Sequence, residues 1–294
     1  MTTASANGIA IGYDDLGPRT CAVPLLLVHG HPFDRSMWRP QLQAAAAAGH
    51  RVIAPDLRGY GESTVVPGST PFPVFATDLA ALLDGLGIGE VALGGLSMGG
   101  QIVMEFQRLF PGRVRGLLLA DTAAEPETAD GRAWRRAMAD RLLREGMAPY
   151  ADEVLTKMVA PRTVETMPDV ATHVRLMMGG TPPEGAAAAL RGRAERPDYR
   201  PVLAGVTVPT LVVVGADDEF TPVEDARTLH RLVAGSRLRV VEGAAHMPNL
   251  ERPAEFNAAM LEFLDEVAAA STARRSGPPA GAAGAGAGAA GATG

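Results

Sequence analysis

Val91-Ala92-Leu93-Gly94-Gly95-Leu96-Ser97-Met98-Gly99-Gly100 carries the chain from an apolar run into a helical one. Val91-Ala92-Leu93 reads as a short buried strand. Gln101 to Phe110 reads as a helix, with Ile102, Phe106 and Leu109 on one stripe. Between them stands Gly95-Leu96-Ser97-Met98-Gly99, a Gly-x-Ser-x-Gly at a strand-to-helix junction. That context is the mark of a nucleophile elbow. A turn this tight forces the serine into a strained backbone conformation. The flanking glycines are required because a Cβ there would strike the neighbouring strand or helix. The strain lifts the hydroxyl above the sheet edge, and the helix that follows points its N-terminus at developing negative charge.

A serine hydroxyl at its free pKa is a poor nucleophile, so an adjacent base and a partner for that base are needed. His246, in Glu242-Gly243-Ala244-Ala245-His246-Met247-Pro248, is the candidate base. It follows the last strand on a loop of small residues and precedes a proline-started helix. His50, His173 and His230 lack such a loop. Asp218, in Gly215-Ala216-Asp217-Asp218-Glu219, is the preferred acid. Asp217 and Asp121 remain alternatives, and Asp121 ends the strand after the elbow helix. The oxyanion hole needs two backbone N–H donors. Met98, directly after the nucleophile, supplies one. His31 in His29-Gly30-His31-Pro32 supplies the other, since Pro32 has no N–H. The His31 side chain then hangs near the pocket and becomes a candidate substrate contact.

The surrounding runs define the fold class. Leu25 to Val28, Arg51 to Ala54, Leu117 to Ala120, Leu211 to Val214 and Leu238 to Val241 are mostly apolar without alternation. This is the pattern of parallel strands covered on both faces. Ile9 to Tyr13, after the turn signal Asn7-Gly8, reads as a first, edge-type strand. Helical patterns over Met37 to Ala48, Val74 to Leu86, Val223 to Val233 and Pro253 to Ala270 alternate with the strands. The result is a mostly parallel, doubly wound α/β sheet, in which function gathers at the carboxyl ends of strands. His29, Asp56, Ser97, Asp121, Asp218 and His246 all fall at or just after such ends.

Residues 125–204 break this rhythm. Ala133 to Glu145, Ala151 to Met158, Val170 to Met178 and Gly185 to Ala194 read as helices separated by prolines. The expected organisation is a core over 1–124 and 205–272, a helical cap over 125–204, and a disordered Gly/Ala-rich tail over 273–294. Half of the 12 methionines lie in the cap. They read either as core packing or as an adaptable apolar lining for a substrate channel. Met158 and Met177 are candidate substrate contacts on the second reading.

Composition narrows the function. The 294 residues carry a net charge of −6, with a pI near 5.6, which argues against nucleic acid as the main partner. A single cysteine, Cys21, excludes an internal disulfide and any multi-cysteine metal site. No apolar stretch has membrane-spanning length, and Met1 to Asn7 does not read as a secretory signal, so the expected location is cytoplasmic.

The motifs His29-Gly30-His31-Pro32, Asp56 to Ser63, Gly95 to Gly100, the Asp218 loop and the His246 loop stand in the order of the α/β-hydrolase fold superfamily. The resemblance covers about residues 6 to 270, with the insertion as its cap. The elbow, the Leu118-Leu119-Ala120-Asp121-Thr122 strand end and the modest cap resemble the serine esterase and 3-oxoadipate enol-lactonase branch. Epoxide hydrolases and haloalkane dehalogenases are similar in fold but use an aspartate where Ser97 stands. The departure is His31, where many relatives carry an apolar residue. The resemblance implies cleavage of a small-molecule ester or lactone with no metal or organic cofactor, and gives Asp56 to Ser63 a structural role. A cofactor-free perhydrolase or haloperoxidase activity, or a ligand-sensing receptor that keeps the triad, are the alternatives it leaves.

Overall fold

A computed structural model describes residues 2–276. The chain opens with β1 (Thr2–Ala6), β2 (Ile9–Leu16) and β3 (Leu25–Val28), then a 3-10 turn at Arg35–Trp38. There follow α1 (Arg39–Ala47), β4 (Val52–Pro55), α2 (Phe72–Gly85), β5 (Val91–Leu96), α3 (Met98–Leu109) and β6 (Val114–Ala120). The stretch between β6 and the next strand is helical throughout: α4 (Ala129–Glu145), α5 (Ala148–Met158), α6 (Pro161–Thr166), α7 (Pro168–Gly180), α8 (Pro183–Arg193) and α9 (Arg200–Ala204). The core then resumes with β7 (Thr210–Gly215), α10 (Val223–Leu232), β8 (Arg237–Val241), α11 (Pro248–Glu251) and α12 (Pro253–Ser276).

The strands form one sheet in the order β1-β2-β4-β3-β5-β6-β7-β8. β1 and β2 are antiparallel to each other, and β2 is antiparallel to β4. From β4 to β8 every pairing is parallel. The unbroken apolar runs split by period two between the faces. Leu25, Leu27, Ala92, Leu118, Leu211 and Val213 pack on one face, with Leu42 of α1 and Phe256, Met260 and Phe263 of α12. Leu26, Val28, Leu93, Leu117, Val212 and Val214 pack on the other, with Leu79 and Leu83 of α2, Ile102 and Phe106 of α3, and Leu229 of α10.

Several expectations need correction. One edge strand is β1, not the strand beginning at Ile9, because Thr2–Ala6 pairs across the Asn7-Gly8 turn with Ile9–Tyr13. The other edge is β8, which pairs only with β7 and is largely half-buried, so Leu238 to Val241 is not covered on both faces as its apolar run suggested. The polar sequence Thr-Thr-Ala-Ser-Ala of β1 suits an exposed sheet edge and offers no hydrophobic pattern to read. α12 continues to Ser276, past the helix end expected at Ala270; the remainder of the expected Gly/Ala-rich tail lies outside the described residues. α6 and α9 carry no periodic signal because each spans fewer than two turns. α4 begins at Ala129 rather than Ala133, where the Thr128 hydroxyl caps it by accepting the Gly131 N–H. No helix among the described residues is long and apolar enough to cross a membrane.

Candidate active site

β5 ends at Leu96 and α3 starts at Met98, so Ser97 must turn the chain in one residue. It does so at φ 56° and ψ −117°, a conformation L-residues avoid. The turn is pinned on both sides. Ser97 N–H donates to Ala120 O (2.9 Å), and the Thr122 hydroxyl donates to Ser97 O (2.7 Å). A Cβ on Gly95 would lie 2.4 Å from the Gly99 carbonyl carbon, and one on Gly99 would lie 2.2 Å from Val28 O. Gly99→Ala therefore meets backbone on β3 that has no room to yield. It is expected to destabilise the fold by ~3 kcal/mol and lower Tm by roughly 5–10 °C in differential scanning fluorimetry.

Asp218 lies on the loop after β7, and His246 on the loop after β8. Ring atom Nδ1 of His246 lies 2.8 Å from Asp218 Oδ2. Asp218 also accepts the N–H groups of Phe220 (2.8 Å) and Thr221 (3.2 Å) on Oδ1, and the Thr221 hydroxyl (2.5 Å) on Oδ2. Burial alone would raise its pKa. The His246 charge, its hydrogen bond and the Thr221 and Phe220 donors outweigh burial and hold the carboxyl below the usual carboxylate range. In the neutral imidazole, Nδ1–H donates to Asp218 and Nε2 is left as an acceptor. The Phe220 ring packs edge-on against the imidazole, 5.2 Å between centroids.

Ser97 and His246 line one cavity of about 140 Å³. Its walls include His31, Tyr150, Met158 and Arg193, with Trp134 and Phe220 partly exposed. Met158, a candidate substrate contact, is among these lining residues. Met177 does not line this cavity; its side chain packs in the buried apolar core, so it is a packing residue and not a channel lining. Asp121 takes no hydrogen bond from His246, and Asp217 is not buried, so neither alternative acid holds the imidazole.

The His29 to Pro32 loop divides its work. His29 is structural: its Nε2 accepts the Leu57 N–H (2.9 Å) and its Nδ1 donates to Gly30 O (2.8 Å). His31 lines the cavity, with Nδ1 2.8 Å from the Tyr60 hydroxyl and no hydrogen-bond partner on Nε2. Burial, with Arg193 and Arg135 nearby, pushes the His31 pKa well below its ordinary value, so this ring is neutral. The turn from Asp56 to Ser63 has the structural role expected of it. Asp56 accepts Glu62 N–H (2.8 Å), Arg35 N–H (2.8 Å) and the Arg35 guanidinium, and Ser63 donates to Asp56 O (2.7 Å).

Sequence reasoning missed Tyr60, Tyr150 and Glu251. Tyr60 sits inside a quoted motif, yet only the folded turn brings its hydroxyl to His31. Glu251 is buried on α11 and carries no motif. Its Oε1 accepts Ala245 N–H (2.8 Å), beside His246. Its Oε2 accepts Ala160 N–H (2.7 Å) and the Thr163 hydroxyl (2.6 Å) from the cap. One carboxyl group so ties the histidine loop to α6.

Three arginines gather around one carboxylate at the cap side of the cavity. Arg135 pairs with Glu127, and Arg196 lies 3.8 Å from the same carboxylate. Arg193 pairs with no carboxylate among the described residues; its Nε donates to Gln101 Oε1 (3.0 Å), a neutral amide. Burial, reinforced by Arg135 and Arg196, disfavours its charge and lowers its pKa well below the usual value.

Residues 25–259 match the alpha/beta hydrolase family. The 3-oxoadipate enol-lactonase 2 of Acinetobacter baylyi is 31% identical over 258 residues, covering 88% of this chain and 94% of that protein. A malate-bound thermophilic esterase from Thermogutta terrifontis is 40% identical with a TM-score of 0.85, covering 90% of this chain and 97% of that one. The enol-lactonase from Burkholderia xenovorans LB400 is 29% identical with a TM-score of 0.82, covering 90% and 100%. With most of its length matched in both sequence and fold, and with a strained serine at the expected junction, the chain belongs to the alpha/beta hydrolase family.

Proposed function

We propose that this chain is a serine hydrolase that cleaves the carboxylic ester of a small molecule through an acyl-enzyme. The observation that carries the reading is the shared cavity. Ser97, held at φ 56°, lines it together with His246, whose other ring nitrogen is held by Asp218. His246 Nε2 takes the proton as Ser97 Oγ bonds to the ester carbonyl carbon. Asp218 fixes the imidazole tautomer and stabilises the imidazolium. The carbonyl oxygen, now negative, is received by the N–H groups of Met98 and His31. Met98 is the first residue of α3, where backbone donors have no intrahelical acceptor. The imidazolium returns its proton to the leaving alcohol as the carbon–oxygen bond breaks. Water, deprotonated by His246, then releases the acid and frees Ser97. No metal or organic cofactor enters these steps.

A fluorophosphonate probe tests the nucleophile directly. Peptide mass spectrometry is expected to find the adduct on Ser97 alone, with hydrolysis of an aryl acetate lost in parallel with labelling. Labelling elsewhere, or activity that survives full Ser97 modification, would overturn the reading.

Arg193 favours a more specific substrate. A cation without a carboxylate partner beside a cavity of this size suits an ester or lactone that carries a carboxylate of its own. The enol-lactonase relatives and the malate-bound esterase point the same way.

A further inference from the structure

Asp121 follows the last residue of β6 and is almost wholly buried. Its backbone stands at φ 45°, with its N–H donated to Val213 O (3.0 Å). This conformation is one that aspartate and asparagine tolerate better than most residues. Oδ1 accepts the Gly215 N–H (2.9 Å), while Oδ2 has no hydrogen-bond partner in the described protein. A carboxyl oxygen of Asp121, one of Asp218 and a ring nitrogen of His246 all lie within 4.8 Å of one another. The catalytic reading above uses Asp218 and leaves Asp121 without a task.

Two carboxyl groups buried this close together do not both ionise. The hydrogen bonds decide which one keeps the proton. Asp218 accepts four, from Phe220 N–H, Thr221 N–H, the Thr221 hydroxyl and His246. Asp121 accepts one. The negative charge therefore resides on Asp218 and the proton on Asp121. A protonated Asp121 gains an O–H donor, and the charged acceptor beside it is the Asp218 carboxylate.

We propose that Asp121 is a protonated positioning residue that donates its O–H to Asp218 and holds that carboxylate in line with the His246 ring. The electrostatics agree with the geometry. Burial, and then the charge of Asp218, push the Asp121 pKa well above the carboxylate range, with Glu251 of α11 adding in the same direction. The titratable groups facing the pair are His246 and Glu251, together with Asp225 of α10, whose own pKa is raised by burial, then by Glu125, and then by Asp218.

The sign of the pH effect follows. Unfolded, Asp121 ionises near its ordinary value of ~3.9; folded, it stays protonated to a higher pH. The folded state then binds the extra proton between the two values, so this group's contribution to stability is full below the unfolded pKa and is lost as pH rises towards the folded one. Asp121→Asn keeps a donor and removes the titration. Its stability relative to wild type is expected to rise as pH increases above ~4.

Infrared difference spectroscopy of wild type against Asp121→Asn at pH 7 reads the proton itself. The expected result is the carbonyl stretch of a protonated carboxylic acid, present in wild type and missing in the variant. Carboxylate bands for Asp121 instead would overturn the proposal. In kinetics, which rest on the proposed triad, Asp121→Ala is expected to lower kcat roughly 10- to 100-fold with little change in KM. Asp121→Asn is expected to recover most of that loss. An Asn variant as slow as the Ala variant would also overturn the proposal. The infrared band needs no turnover and no folded Ala variant, so its failure is separable from failure of Ser97 labelling.

Discussion

Ser97→Ala is expected to lower kcat for ester hydrolysis by roughly four to six orders of magnitude while changing Tm by only a few degrees. Removal of the hydroxyl leaves the oxyanion donors and the cavity in place, so a residual rate above the uncatalysed reaction persists. The fold tolerates the change because alanine is smaller and inherits the same strained backbone, with the Ala120 and Thr122 hydrogen bonds made by main-chain atoms of residue 97. His246→Ala is expected to cost about as much, and the double variant little more than either single one. Groups that act as a unit do not contribute additively. Steady-state kinetics on an aryl acetate, with thermal melts of the same preparations, check both parts. A double variant whose loss equals the sum of the singles in free energy would contradict a shared proton-transfer step.

The strand-serine-helix junction was legible because its physics is local. A strand covered on both faces must be apolar throughout, and a one-residue turn must have glycine beside it. Leu25–Val28, Val91–Leu96 and Thr210–Gly215 all announce themselves in this way. The loops after β5 and β7 carry Ser97 and Asp218, and His246 follows β8, the half-exposed strand at the sheet's other edge. What the sequence withheld is tertiary. Asp217, Asp218 and Asp121 differ little as letters. Asp218 alone receives the Thr221 hydroxyl and the His246 ring, and that depends on how two loops distant in the chain approach. Met177 and Met158 share a residue type and a helical cap, yet one packs inward and the other faces the cavity. Glu251 joins Ala160, 91 positions earlier, and no short-range pattern encodes such a contact.

Arg193→Met is expected to lower the ratio of kcat/KM for a carboxylate-bearing lactone to that for a neutral aryl acetate by roughly 30- to 1000-fold. The argument starts from charge balance around the cavity. Glu127 is shared by Arg135 and Arg196, and among the described residues Arg193 has only the Gln101 amide as a hydrogen-bond partner, while burial and the neighbouring arginines disfavour its charge. A guanidinium in that position gains from a carboxylate that arrives with the substrate, because pairing relieves its own unfavourable environment as well as that of the ligand. Methionine keeps much of the side-chain bulk and removes the charge, so packing of α8 is largely retained. The neutral ester does not use the charge, so it reports any general damage to the cavity, and dividing by it isolates the electrostatic part. Arg193→Lys separates charge from shape: it is expected to recover part of the ratio, since lysine supplies a cation without the planar fork that binds a carboxylate through two parallel hydrogen bonds. A ratio unchanged in the Met variant would mean that Arg193 serves the cap through Gln101 and not the substrate.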